Sequence, residues 1–163
     1  MIRLPDGFTV QGVSNLADGK LRAAVLHSHF RPNGAWHEFW AEYAQFMGSV
    51  VYDGERDLFV RSPDGRGASA CTIWFDPVNA VGLFEPVATH PDFQGRGLGK
   101  AVMAEGMRRM QAAGMRRAIV GFDPNNLAAM PGRFMDIVLY GCGVGVVLLL
   151  LSRPLARLMG NVR

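Results

Sequence analysis

A chain of 163 residues has the length of one domain with a sizeable core. Its net charge of +3 comes from scattered arginines, which gives no case for nucleic acid and agrees with an acidic ligand. Cys71 and Cys142 show no metal-type spacing and no disulfide framework, Met1–Val10 carries Arg3, Pro5, Asp6 and Gly7 and is not a signal peptide, and no internal repeat is visible; a reducing cytoplasm is the expected setting.

Phe8–Val13 alternates and predicts a first strand, and Ser14 is placed to cap the helix that follows. In that helix Leu21, Ala24, Val25 and Ser28 share one face, with an end near Phe30-Arg31-Pro32. A second helix starts at about Trp36 and stops at Gly48. Trp36, Phe39, Trp40, Tyr43, Phe46 and Met47 line one side of it. Core packing is the favoured reading of that stripe; the sharper reading is that part of it walls a ligand pocket.

Asp57–Arg61 and Ala68–Phe75 predict a hairpin around the turn cluster Ser62–Gly67, and Val81–Thr89 the next strand. Leu98 to about Ala113 is an amphipathic helix with Leu98, Val102, Met103, Met107 and Met110 toward the sheet, an exposed Glu105–Arg109 pair, and Gly114 as its stop. Arg117–Phe122 is a further strand. Consecutive antiparallel strands with short turns, then a helix, indicate an α/β (α+β) fold: a mixed, mostly antiparallel sheet flanked by helices, not a doubly wound one.

The stretch with the most chemical content is Glu85-Pro-Val-Ala-Thr-His-Pro-Asp-Phe-Gln-Gly-Arg-Gly-Leu-Gly-Lys100. It is a strand, a turn, a glycine-rich loop and a helix start, which together offer backbone N–H groups and a positive dipole end to an anion. It is not a Walker loop, because Ala101 follows Lys100. It is not a dinucleotide fingerprint, because Lys100 and Val102 stand where the third glycine is required. The pattern that fits is Gln/Arg-x-x-Gly-x-Gly, as Gln94-Gly95-Arg96-Gly97-Leu98-Gly99, after an apolar strand ending in Thr89-His90-Pro91.

This stretch closely resembles the acetyl-CoA signature of the GCN5-related N-acetyltransferase (GNAT) family, specifically from Glu85 to Ala129 and in architecture alone before that. The resemblance implies acetyl-CoA as co-substrate, no metal, and transfer of acetyl to an amine, small molecule or peptide, by direct attack. It implies that the backbone of Val87, Ala88 and Thr89 pairs with the pantetheine arm. Gln94, Gly95, Arg96, Gly97, Leu98, Gly99 and Lys100 would hold the pyrophosphate, and Asn125 or Asn126 would touch the cofactor arm. Thr89 stands where the family usually has an apolar residue. Glu85 is the candidate base, as a partly buried carboxylate on the strand; His90 is a weaker candidate. The two N-terminal helices would flank the acceptor.

The resemblance breaks after Ala129. The family continues Asn-x-x-Ala-x-x-Leu-Tyr-x-x-x-Gly-Phe and then adds two strands. Here Met130–Asp136 departs from the pattern, 137–151 carries no charge, and Tyr140 is off the motif spacing, so the final strands are apparently missing. The division expected is an acetyltransferase-like domain over 1–129 and an atypical tail over 130–163. Three readings of the tail stand open: a short membrane or interfacial anchor through 137–151, a buried replacement for the lost strands, or an out-of-frame segment. For the last, reading Met130–Ile137 one base early yields Ala-x-x-(Leu-like)-(Tyr/His)-Gly-(Tyr/His), an echo of the family pattern. Two functional alternatives accompany the enzyme reading: a degenerate acetyl-CoA-binding remnant, and a membrane-tethered binding module. A homodimer is left open.

Overall fold

The computed structural model describes residues 4–121. The elements are β1 (Thr9–Gly12), α1 (Leu16–Phe30), α2 (Trp36–Met47), β2 (Asp57–Arg61), β3 (Gly67–Asp76), β4 (Val81–Thr89), α3 (Leu98–Ala112) and β5 (Arg117–Val120), with single 3₁₀ turns at Gly54–Arg56 and Pro91–Phe93. The strands form one sheet in the order β1-β2-β3-β4-β5, antiparallel except for the parallel pair β4–β5. This is the mixed, mostly antiparallel sheet with flanking helices that the sequence predicts. The parallel pair needs a crossover, and α3 supplies it.

Alternation along the strands builds two cores. Leu58, Val60, Cys71, Ile73 and Phe84 face α3 and meet Leu98, Val102 and Met110. Phe59, Ala70 and Ala88 point the other way and meet Val25 and Leu26 of α1. Burial pushes the Cys71 thiol up to about 12, which keeps it protonated and inert.

The sheet face of α3 differs from the expected one at Met107, which is 50% exposed. Gly106 takes the sheet position instead. A Cβ there would stand 2.5 Å from Phe84 Cε1 and 3.1 Å from Ile73 Cγ2, so the helix backbone itself rests on the sheet and Met107 is turned outward. The cap of α1 is Asn15 rather than Ser14: the Asn15 side chain accepts from the Asp18 N–H at 3.0 Å. Ser14 instead donates its hydroxyl to the Asp18 carboxylate at 2.6 Å.

The buried face of α1 is also not the expected set of Leu21, Ala24, Val25 and Ser28; it carries Asp18, Gly19, Arg22, Ala23, Val25 and Leu26. Arg22 is tolerated there because Asp57 of β2 neutralises it. Arg22 Nε donates to Asp57 Oδ1 at 2.6 Å, with the two side chains 2% and 0% exposed. Arg22 also donates to Thr72 Oγ1 of β3 at 2.5 Å, and Thr72 donates to Asp57 at 2.9 Å. The Tyr43 hydroxyl donates to the second Asp57 oxygen, and the Arg22 guanidinium lies 4.8 Å from the Tyr43 ring centre. Burial, the largest influence, raises the Tyr43 pKa well above its ordinary value. One carboxylate thus ties α1, α2, β2 and β3 together.

Asp57→Ala leaves a buried guanidinium unpaired and is expected to lower the unfolding free energy by about 3–5 kcal/mol. The double variant Arg22→Met with Asp57→Leu is expected to recover most of that loss. Urea unfolding of the single and double variants measures the coupling, and strict additivity would contradict it.

Candidate active site

Among the described residues β4 is paired on both sides as far as Phe84. Val81–Phe84 pairs with Arg117–Val120 of β5. From Glu85 to Thr89 the strand keeps its β3 neighbours, Cys71, Ala70 and Ser69 opposite Val87, Ala88 and Thr89, while its other edge has no partner strand among the described residues. The change coincides with a bulge: register shifts between Cys71 and Ile73, so Thr72 faces the two residues Glu85 and Pro86. The free edge of Val87–Thr89 offers backbone groups to an extended ligand, as the resemblance implies.

The edge leads through His90 and the Pro91–Phe93 turn into the glycine loop. Gly95 and Gly97 both have φ of 75°, in the left-handed region, and a Cβ at either would meet nothing within 4 Å. They therefore serve the path of the chain and the openness of the loop rather than close packing. Gly97 is the N-cap of α3, no side chain caps the helix, and its first turn holds no acidic residue. Open amides, a dipole end and the exposed cations Arg96 and Lys100 fit a pyrophosphate. Leu98 is buried and anchors the helix start, while Gln94 is exposed, its amide 3.5 Å from the Thr89 carbonyl. Thr89 is half-buried and within 3.0 Å of the Ser69 hydroxyl, so the polar residue at this position has a partner in β3.

A contact the sequence did not disclose holds this loop. Arg66, in the β2–β3 turn, donates to Asp92 at 2.8 Å and to Asp64 at 2.9 Å. Its guanidinium lies 4.5 Å from the ring centre of the buried Phe93, and that of Arg96 lies 5.5 Å from the same ring. The hydrogen bond from Arg66, the largest influence, holds Asp92 below the ordinary carboxylate range. The His90 ring accepts the Asp92 N–H at 3.2 Å, so it caps the turn, a structural use for the weaker base candidate.

Glu85 is exposed, not partly buried as expected, and stands in the bulge opposite Thr72. Alternation is interrupted here, since Phe84 faces α3 and Ala88 faces α1, and the Thr72 hydroxyl opposite Glu85 meets Arg22 of α1. The Trp74 indole donates to the Glu85 carbonyl at 2.8 Å. Of the α2 stripe, Tyr43 alone is fully buried; Trp36 is exposed and Phe39, Trp40, Phe46 and Met47 are half-buried. Asn125, Asn126 and the whole tail, including 137–151 and its three readings, lie outside the described residues. Among the described residues no helix is long and apolar enough to cross a membrane, and no group of three or more His, Cys, Asp or Glu is placed to hold a metal.

A strand edge freed beside a carboxylate, running into an open helix start, is the architecture of an acetyl-CoA-dependent N-acetyltransferase. The family model described as "Acetyltransferase (GNAT) family" matches residues 22–131, about two thirds of the chain, and the chain belongs to that family. Similar solved structures include a transcriptional regulator from Bacillus halodurans C-125, with TM-score 0.61 and 14% identity over 80% of this chain and 91% of that one. The ribosomal-protein-S18-alanine N-acetyltransferase from Escherichia coli has TM-score 0.54 and 17% identity, covering 83% and 75%. An aminoglycoside N-acetyltransferase in complex with CoA has TM-score 0.55 and 16% identity, covering 79% and 86%. At these identities the likeness is one of fold. Among curated proteins no sequence matches this chain.

Gly97→Val forces a β-branched residue to positive φ and is expected to cost about 1–2 kcal/mol of stability and to abolish stabilisation by acetyl-CoA in thermal unfolding. Arg66→Ala is expected to raise the KM for acetyl-CoA several-fold with little change in unfolding midpoint. Arg66→Lys should restore little, since a lysine does not reproduce the planar fork over Phe93. Steady-state kinetics and thermal unfolding on both variants check this.

Proposed function

We propose that this protein transfers acetyl from acetyl-CoA to a primary amine by direct attack, with Glu85 as base. The observation that carries the reading is the path of β4, which bulges at Glu85 and Pro86 and runs through Val87–Thr89 into the open glycine loop and the uncapped start of α3. Val87, Ala88 and Thr89 would align the pantetheine arm. Gln94 through Lys100 would hold the pyrophosphate, with Arg96 and Lys100 adding charge. The co-substrate brings the activated acetyl group; the protein binds it, orients it and manages a proton.

Glu85 takes a proton from the acceptor ammonium, directly or through one water. The freed lone pair forms the C–N bond as the C–S bond breaks. The CoA thiolate leaves, and the second proton released from the acylated nitrogen passes to it directly or through water, giving the amide and the free thiol. Exposure of Glu85 suits this role, because its proton must pass on to water after each turnover. The buried free thiol Cys71 agrees with a reducing, cytoplasmic setting.

Acetyl-CoA at about a hundredfold over its Kd is expected to stabilise the fold by about 2.7 kcal/mol, read as an upward shift in thermal unfolding. Glu85→Gln should keep that shift and lose about a hundredfold or more in kcat/KM with an amine acceptor. Unchanged turnover in Glu85→Gln would remove Glu85 from the reaction. A protein that shifts with acetyl-CoA and acetylates no amine would be a binding remnant instead.

A further inference from the structure

We propose that the acceptor carries its amine on an apolar, ring-sized body, and that Trp74 and Phe46 form the surface that selects it. The proposal rests on the acetyl-transfer reading above and adds the chemical class of the acceptor.

The surface begins at the reacting end of β4. Trp74 pairs with Leu83 and shares its face of the sheet, and Glu85 follows two residues on along β4. The indole N–H is taken up by the Glu85 carbonyl at 2.8 Å, so the ring presents apolar surface beside that residue. Phe46 of α2 lies 6.2 Å from Trp74 between ring centres, and Tyr52 lies edge-on to Phe46 at 5.1 Å. From Phe46 the rings continue along α2, through Tyr43 at 6.1 Å and Trp40 at a further 6.1 Å, to Trp36 stacked at 6.4 Å. Phe46, Trp40 and Trp74 are half-buried and Trp36 is 38% exposed, so the strip keeps solvent-facing ring surface.

Charge complementarity selects the occupant. The Arg22–Asp57 pair behind the strip is buried and mutually neutralised, and Glu42 is engaged by Arg31 at 2.9 Å. Lys20 sits over Trp40, 5.4 Å from the ring centre, at the far end. The near end is Glu85, whose carbonyl accepts from the Trp74 indole and whose acidic side chain is exposed. An ammonium beside a carboxylate with a ring or alkyl body on tryptophan and phenylalanine satisfies both ends; an acceptor carrying an anion beside its amine meets Glu85 unfavourably.

The test compares 2-phenylethylamine with ethanolamine, which share the two-carbon amine and differ in phenyl against hydroxyl. With acetyl-CoA saturating, kcat/KM is expected to favour 2-phenylethylamine at least tenfold. Phe46→Ala and Trp74→Ala, on two different elements, should erase most of that preference at unchanged KM for acetyl-CoA, and Trp74→Phe should retain it. Equal or reversed preference, or a loss that falls on both amines alike, overturns the proposal. Calorimetric binding of 2-phenylethylamine to the CoA-loaded protein separates this proposal from the catalytic reading. Binding weakened by Phe46→Ala supports the surface even where no amine is turned over, in which case the role of Glu85 fails alone. Absence of binding overturns the surface itself.

Discussion

β4 bulges opposite Thr72, where Glu85 and Pro86 share one partner in β3, and the candidate active site is built around that point. As far as Phe84 its backbone groups are shared between β3 and β5; beyond it one edge has no partner strand among the described residues. Pro86, with no N–H to give to a ladder, stands at the bulge where the change occurs. The residue opposite is Thr72, whose hydroxyl belongs to the buried Arg22–Asp57 cluster. The irregular point of the sheet is therefore backed by its most constrained polar group, and the bulge is fixed from behind by α1 and β2. A buried ion pair adds little net stability. Here it gives a definite position to the strand opposite the bulge.

Charge is divided along the same strand. Glu85 and Thr89 are four positions apart, about 13 Å of extended chain. One end carries a carboxylate; the other passes into Arg96, Lys100 and the open start of α3. Under the acetyl-transfer proposal an ammonium and a pyrophosphate would be attracted to opposite ends of this strand, with the thioester between them. The Arg66 fork contributes at the anionic end without spending its charge on the ligand: Asp64 and Asp92 already occupy it. What it supplies is a fixed position for Phe93 and the turn before the glycines.

The strands, the three helices and the phosphate loop were legible in the sequence because each depends on local pattern: alternation in Val81–Thr89, aromatic spacing in Trp36–Met47, glycine spacing in Gly95–Gly99. What was not legible depends on partners distant in the chain. Arg22 reads as a solvent-facing residue of α1 until Asp57, thirty-five positions on, supplies its counter-charge. Met107 reads as core until Gly106 brings the helix backbone against Phe84. Glu85 reads as half-buried because an apolar strand surrounds it in sequence, and the bulge opposite Thr72, where it is exposed, has no sequence signal. Arg66 carries no motif at all, since its meaning lies in a contact with Asp92 across twenty-six residues.

The same division bears on where specificity resides. Solved structures of similar fold are named for acceptors as different as a ribosomal-protein alanine and an aminoglycoside. A shared sheet and phosphate loop cannot distinguish such acceptors, so discrimination has to come from residues outside the loop. On this chain the face next to Glu85 is lined by Trp74, Phe46 and Tyr52 and backed by a neutralised ion pair. A hydroxyl-rich acceptor would have to give up water against those rings without regaining hydrogen bonds, whereas an apolar body loses nothing there. Under the acetyl-transfer proposal the motif would deliver the acetyl group, and the aromatic face would select what receives it.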